Sequence, residues 1–146
     1  MRKLTIAPLS DVPGWLAAGP PEWAADAHRE TMHAWQSAAD ELKNCIRGVI
    51  ALDEEGDLVG IATCTDPPPD ADEPPRLIVV QRDKERSVRG LGYALFCALK
   101  AAVRRRPIAA VPFGVEGVPA MRGWGFIEKD GSWEYHEPRS ETAGVP

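Results

Sequence analysis

The chain has 146 residues, of which 44% are hydrophobic and 27% are charged, and it carries a formal net charge of −5. This size and composition are typical of one globular domain that buries a core without disulfide or metal support. The negative charge disfavours a general nucleic-acid-binding role, because phosphate backbones require a basic footprint.

The three cysteines, Cys45, Cys64 and Cys97, are widely spaced and form neither a CxxC pair nor a zinc-binding pattern. We expect reduced thiols in or near the core and no bound metal. No stretch reaches the roughly 20 apolar residues that a membrane span requires. The first residues lack the apolar core of a signal peptide. The sequence therefore predicts a cytoplasmic protein without a membrane partner.

The first half of the chain predicts a strand, a long helix and a hairpin. The segment "KLTIAPL" alternates as a strand over residues 3–8. Residues 21–43 predict a helix, because apolar residues recur there at steps of three and four. Two β-rich runs, residues 47–53 and 58–65, flank "DEEGD", whose acidic residues and glycine indicate a hairpin turn.

The central part predicts a βαβ unit. The segment "DPPPDADEPP", residues 66–75, is an exposed loop, since its prolines permit neither helix nor strand. The nearly continuous apolar run at residues 76–81 indicates a strand covered on both faces. A one-sided apolar pattern predicts a helix over residues 91–104, and residues 108–113 predict the next strand, reached by a right-handed crossover.

The last part predicts a short helix over residues 116–125 and a closing hairpin that turns at Asp130 and Gly131. Residues 137–146 form a polar tail that we expect to be frayed. The sequence thus predicts one domain over residues 1–136. Its fold class is α/β, with a mixed sheet of six to seven strands flanked by helices.

Two glycines, Gly90 and Gly92, lie in "ERSVRGLGYALF", between the strand at 76–81 and the next helix. A helix N-terminus leaves its first N–H groups without partners and favours an anion. Two missing Cβ atoms would let a pyrophosphate approach the amides of residues 88–93 closely. Basic residues just upstream would add ionic contacts: Arg82, Lys84, Arg86 and Arg89. The two residues are explained equally well as a turn glycine followed by a glycine that permits close helix packing.

Other motifs for phosphate binding or nucleophilic catalysis are absent from the sequence. Leu95 replaces the third glycine of G-x-G-x-x-G, and neither G-K-[ST] nor G-x-S-x-G occurs. These absences disfavour an ordinary dinucleotide site, a nucleoside triphosphate site and an α/β-hydrolase site.

The segment "SVRGLG", residues 87–92, resembles the [QR]-x-x-G-x-[GA] signature of the GCN5-related N-acetyltransferases, the GNAT family. Ser87 stands where glutamine or arginine is usual, and Arg86 precedes it by one residue. A second segment, "MRGWGF" at residues 121–126, resembles the family's Y-x-x-x-G-F run, with Met121 in place of the tyrosine. The order of predicted elements over residues 3–136 is also similar to that of the family.

This resemblance implies acetyl-CoA as co-substrate and an amine on a small molecule or peptide as acceptor. The strands at 76–81 and 108–113 would splay apart around the pantetheine arm, and a main-chain amide there would stabilise the oxyanion. No metal is implied, and a homodimer is compatible with the family. The implied coenzyme-binding residues are Val80, Arg82, Arg86, Ser87, Val88, Arg89, Gly90, Leu91, Gly92 and Tyr93.

Acyl transfer to an amine requires removal of the amine's proton, a donor for the oxyanion and protonation of the leaving thiolate. Glu116 is the candidate base and Tyr135 the candidate acid, with Tyr93 as a further option. Helix capping or a solvated turn would also explain Glu116, and packing would explain both tyrosines. Two alternatives remain open: a non-catalytic acyl-CoA-binding module with this fold, and an α/β domain whose glycines are purely structural.

Overall fold

The computed structural model describes residues 3–18, 21–24, 46–68, 70–83, 85, 89–103, 107–110, 117–130 and 132–136. In chain order the elements are β1 Thr5–Pro8, α1 Val12–Ala17, a 3-10 turn Glu22–Ala24, β2 Ile46–Leu52, β3 Leu58–Thr65, β4 Leu77–Arg82, α2 Leu91–Ala102, β5 Ile108–Ala110, α3 Gly117–Trp124, β6 Ile127–Lys129 and β7 Ser132–Tyr135.

The seven described strands form two hydrogen-bonded groups. The first has the antiparallel order β1-β2-β3-β4, and the second has the antiparallel order β5-β7-β6. Within the described ranges, one parallel bridge between Arg76 and Ala109 connects the groups, and the amide of Ala109 donates to the carbonyl of Pro75 at 2.8 Å. The predicted mixed sheet with flanking helices is therefore confirmed.

The larger core cluster lies between the four-stranded group and α2. Leu91, Leu95 and Leu99 of the helix are buried against the sheet, together with Phe96. Gly60 of β3 permits this close packing, because a Cβ there would come within 2.9 Å of Leu95 Cδ1. The Phe96 ring also contacts three aromatic rings of the C-terminal segment, those of Trp124, Phe126 and Tyr135.

The opposite face of the four-stranded group carries a second apolar cluster. Its buried members are Leu9, Val12, Ile50, Ile61 and Val79. Helix α1 supplies Val12, so each face of this sheet is covered by a different helix of the described part of the chain. None of the helices in that part is long and apolar enough to cross a lipid bilayer.

Most predicted elements are confirmed within one to three residues. The hairpin turns where "DEEGD" indicated, with Asp53 Oδ1 accepting from the amides of Glu55 and Asp57 at 2.9 Å and Gly56 at φ +85°. The strand predicted at 108–113 is described only to Ala110. The helix predicted at 21–43, except for its first four residues, lies outside the described residues, as do Cys45 and the tail at 137–146. Cys64 and Cys97 are free thiols, as expected.

Helix α1 is not among the elements predicted from the sequence, since its segment contains a proline and a glycine. Proline is tolerated in the first turn of a helix, where its missing N–H would have no partner. Asp11 stabilises this start, because its Oδ1 accepts from the amide of Gly14 at 3.2 Å and its carbonyl from Trp15. Pro13 therefore lies where a short helix can hold it.

Phe96 offers a direct test of the core. It is fully buried, and its ring centroid lies 5.2 to 5.6 Å from the three neighbouring aromatic rings. We expect Phe96→Ala to lower the free energy of unfolding by about 3–5 kcal/mol, from lost burial and the cavity left behind. Urea denaturation measures this, with Ile127→Ala as a control, because the Ile127 side chain is 61% exposed. A similar loss in both variants would contradict the described core.

Candidate functional site

The outer edge of β4, the edge away from β3, is the main feature of the candidate site, and its part beyond the bridge to β5 is called the slot. The two strands run parallel and pair at Arg76 and Ala109. Apart from that bridge, β4 pairs with β3 in the four-stranded group, and β5 pairs with β7 in the three-stranded group. In the described part of the chain, no strand covers the outer edge of β4. At about 3.3 Å per residue, the six residues of β4 extend this edge for roughly 20 Å.

The main-chain groups that face this slot follow from strand alternation. The amide of Asp83 donates to the carbonyl of Val59 at 2.8 Å, so the backbone of residue 83 points toward β3. Alternate residues of a strand direct their N–H and C=O groups to opposite edges. The backbone groups of Gln81 therefore face β3, whereas those of Val80 and Arg82 face the slot. Two of the predicted coenzyme-binding residues thus present main chain toward it.

The start of α2 lies after β4, beyond the open end of the slot. Gly90 is its N-cap and adopts a left-handed conformation with φ +84°, and no described side chain caps the helix. The first helical bond runs from the amide of Ala94 to the carbonyl of Gly90 at 3.0 Å. The N–H groups of Leu91, Gly92 and Tyr93 therefore have no partner within the helix. This end can bind an anion through its amides and its dipole.

Different physical constraints favour glycine at the two positions of the motif. Gly90 is required by its backbone, because φ +84° strains residues with a Cβ, yet a Cβ built there would meet nothing within 4 Å. Gly92 is required by packing, since a Cβ there would come within 3.1 Å of Trp124 Cζ2. The helix-packing interpretation is therefore correct for Gly92. The space that a Cβ of Gly90 would occupy is open.

Asp83 holds the beginning of the loop that connects β4 to α2. It is only 6% exposed, and its Oδ1 accepts from the amide of Glu85 at 3.0 Å. Together with the bond from its own amide to Val59, this contact fixes where the chain leaves the sheet. Sequence reasoning missed Asp83, although an acidic residue directly after an apolar strand and before a basic loop is a recognisable signal for such a turn.

The remaining predicted residues of the loop are only partly described. Arg82 and Arg89 are exposed and bracket the loop, so both can contribute positive charge at the helix start. Arg86, Ser87, Val88 and the candidate base Glu116 lie outside the described residues, so their roles stay predictions.

The two tyrosines lie at different ends of α2. Tyr93 is in the first turn and 49% exposed, and a hydrogen bond with the Cys97 thiol raises the pKa of Tyr93 above its ordinary value. Tyr135 is buried, and its hydroxyl accepts from Lys100 Nζ at 2.8 Å. Lys100 is nine residues after Leu91, about 14 Å along the helix. The structure therefore separates Tyr135 from the uncapped helix start.

The position of Tyr135 in the sheet supports this separation. Tyr135 pairs with Ile108, next to the bridge that closes the slot. Its ring packs against Phe96 and Phe126. These contacts favour the packing interpretation that the sequence left open. Met121, at the position where the family carries its tyrosine, is buried in α3 and belongs to the same core cluster.

Comparison with solved structures shows which fold this is. A protein from Exiguobacterium sp. 255-15 that has been assigned as an acetyltransferase matches with a TM-score of 0.68 over 99% of both chains, at 13% identity. One from Desulfovibrio desulfuricans, assigned to the GNAT family, matches with 0.60 over 90% of this chain and 95% of its own, at 19% identity. AtaTR bound with AcCoA matches with 0.59 over 90% and 92%, at 15% identity.

These similarities establish the GNAT fold, and the resemblance predicted from "SVRGLG" and "MRGWGF" is confirmed at that level. No model of a protein family matches the sequence, and no curated protein matches it either.

The Asp83 turn can be tested with two substitutions. Asp83→Ala removes the acceptor for the amide of Glu85, and we expect that amide to exchange its hydrogen at least fivefold faster, the equivalent of about 1 kcal/mol. Asp83→Asn keeps an acceptor oxygen at the same atom and should leave the exchange close to wild type. Hydrogen–deuterium exchange with peptide-level resolution measures both. Equal rates in the alanine variant and the wild type would refute the anchoring role.

Proposed function

We propose that this chain is an acyl-CoA-dependent N-acyltransferase that moves an acetyl group from acetyl-CoA to a primary amine. One observation carries the proposal: within the described residues, no strand covers the outer edge of β4 beyond a single parallel bridge to β5, and an uncapped helix N-terminus follows this strand. An extended arm with a diphosphate at one end matches both features. The fold, shared with proteins assigned as acetyltransferases, supports the same conclusion.

The diphosphate of the coenzyme would bind at the start of α2. The amides of Leu91, Gly92 and Tyr93 offer donors there, and the open space at Gly90 lets phosphate oxygens approach the backbone. Arg82 and Arg89, together with the predicted contribution of residues 86–88, would balance the charge of the phosphates.

The pantetheine arm would lie in the slot along β4. It carries two amide groups, which can bond to the edge of β4 as an added strand does. Val80 and Arg82 present their main chain to this edge. The thioester would then lie beside these residues, and the N–H of one of them would stabilise the oxyanion of the tetrahedral intermediate.

The reaction follows from this arrangement without an acyl-enzyme. The neutral amine attacks the thioester carbon, a C–N bond forms, and collapse of the intermediate breaks the C–S bond. The amine gives up one proton, and the thiolate sulfur takes up one. Since a thiol has a pKa of about 8.5, the thiolate leaves without strong acid assistance. Glu116 stays the predicted base for the amine proton.

Two tyrosines are candidates for the acid. Tyr93 lies in the first turn of α2, and its raised pKa keeps its proton at neutral pH. Tyr135 accepts a hydrogen bond from Lys100 and lies at the closed end of the slot. Tyr93 therefore has the better position, and Tyr135 stays a prediction from the sequence.

A second candidate function is a non-catalytic acyl-CoA-binding module. The buried Met121 favours it, because this position carries the tyrosine acid in the family that the sequence resembles. Thiol release separates the two functions. An enzyme releases free coenzyme A from acetyl-CoA when an amine is supplied, whereas a module binds the coenzyme and releases no thiol with any primary amine of a broad panel.

Gly90→Asn tests the coenzyme site. Asparagine tolerates positive φ, so the fold should be kept while its side chain enters the space where phosphate would bind. We expect calorimetry to show at least tenfold weaker binding of coenzyme A, because the added group displaces the diphosphate from the amides.

Gly56→Asn provides the matched control. Gly56 has φ +85°, and a Cβ there also meets nothing within 4 Å, but it lies in the hairpin turn between β2 and β3. The Gly56→Asn variant should bind coenzyme A like the wild type and lose about as much stability as Gly90→Asn. Equal affinity in both variants would remove the diphosphate from this helix start. Wild-type protein that binds no coenzyme A at millimolar concentration would refute the proposed function.

A further inference from the structure

Two buried polar atoms on the face of the sheet opposite α2 lack hydrogen-bond partners within the described residues. They are Thr63 Oγ1 on β3 and Gln81 Oε1 on β4. Thr63 is fully buried. Most buried polar groups in proteins are satisfied, because an orphaned one costs the free energy of its lost hydration. Two such atoms together therefore indicate something that the protein alone does not supply.

The strand register places these two atoms near each other. Ile61 is opposite Gln81, and Thr63 is opposite Val79. Thr63 and Gln81 are thus diagonal neighbours, about 7–8 Å apart between their Cα atoms, and their side chains rise from the same face. A single small group between them can contact both oxygens.

Among the described residues, the neighbours of the two atoms on this face are apolar. Ile61 and Val79 belong to the cluster on this face, and Val12 of α1 covers it near Thr63, since a Cβ at Gly48 would meet both Val12 Cγ2 and Thr63 Cγ2. Asp83, the acidic residue that directly follows β4, uses its Oδ1 in the turn to Glu85. The pair itself carries no charge, so it suits a neutral group on an apolar body better than a polycation or a carboxylate.

Gln81 also has the correct position along β4. Its neighbours Val80 and Arg82 direct their main chain into the slot, where the proposed thioester lies, while its own side chain points to the face opposite α2. A nucleophile held at Gln81 would therefore lie beside the thioester and on the side of the sheet that α2 does not cover.

From these observations we infer that Thr63 and Gln81 bind the acceptor amine, and that the acceptor is a primary amine on an apolar carbon frame; this inference rests on the proposed function. A neutral primary amine has two N–H donors and one lone pair. The two orphaned oxygens accept the two N–H bonds, and the lone pair is left for the thioester carbon. Neither an amide nor a hydroxyl takes up the amine's proton, so the pair orients the nucleophile and a different group or water removes the proton.

The test uses Thr63→Val and Gln81→Met, which replace each polar side chain by an apolar one of similar shape. Because each removes an unsatisfied buried atom, thermal unfolding should occur at an unchanged or higher temperature. We expect at least tenfold lower kcat/KM for hexylamine and phenethylamine in each variant, with acetyl-CoA affinity within twofold of wild type. Spermidine and glycine serve as the polycationic and zwitterionic comparison and should be the poorer substrates of the wild type.

Thr65→Val is the matched control. Thr65 lies two residues along the same strand, but its Oγ1 accepts from the amide of Arg76 at 2.8 Å. This variant should lose stability and keep the transfer rate with hexylamine. The signature of the inference is therefore an opposite pattern: Thr63→Val and Gln81→Met lose amine transfer without losing stability, and Thr65→Val loses stability without losing amine transfer.

If no amine of this set reacts, the inference is tested by binding instead: hexylamine is added to the protein saturated with coenzyme A, and thermal unfolding is measured. The wild type should be stabilised against heat by hexylamine, and the two variants should not. Stabilisation that is equal in all three proteins, or absent from all three, overturns the inference. Coenzyme A binding is measured separately by calorimetry. A wild-type protein that does not bind coenzyme A would contradict the proposed function rather than this inference alone.

Discussion

The outer edge of β4 is the feature on which the proposed site depends. A parallel neighbour would normally satisfy this edge, and within the described residues it does so only at the bridge between Arg76 and Ala109. Backbone N–H and C=O groups require partners, so an extended edge either binds water or receives another chain-like molecule. A pantetheine arm has the length and the amide groups for this role.

The position of the helix start depends in turn on how α2 packs. Leu95 fits over Gly60, and Trp124 fits against Gly92, so the helix lies close to both the four-stranded group and α3. Asp83 fixes the point at which the chain leaves β4. With both ends of the connecting segment held, the uncapped amides of α2 follow the open end of β4. The position of the anion site therefore depends on packing elsewhere in the core and not on the loop sequence alone.

Much of this arrangement was predictable from the sequence, since it rests on local signals. The "DEEGD" turn, the apolar run of β4 and the one-sided pattern of α2 each specify their own element. The reason for Gly92 was not predictable, because it depends on Trp124, which is thirty-two residues away. The separation of Tyr135 from the helix start depends on its pairing with Ile108. The pairing of Thr63 with Gln81 likewise depends on strand register, which no single stretch of sequence contains.

Amide hydrogen exchange at the start of α2 is the most direct measurement of the central claim. The account predicts that saturating coenzyme A slows exchange of the amides of Leu91, Gly92 and Tyr93 at least tenfold, because the diphosphate then accepts their hydrogen bonds. The amide of Ala94, already bonded to Gly90, should change little by comparison. Unchanged exchange at residues 91–93 in protein that demonstrably binds coenzyme A would contradict the account, since the diphosphate would then lie elsewhere.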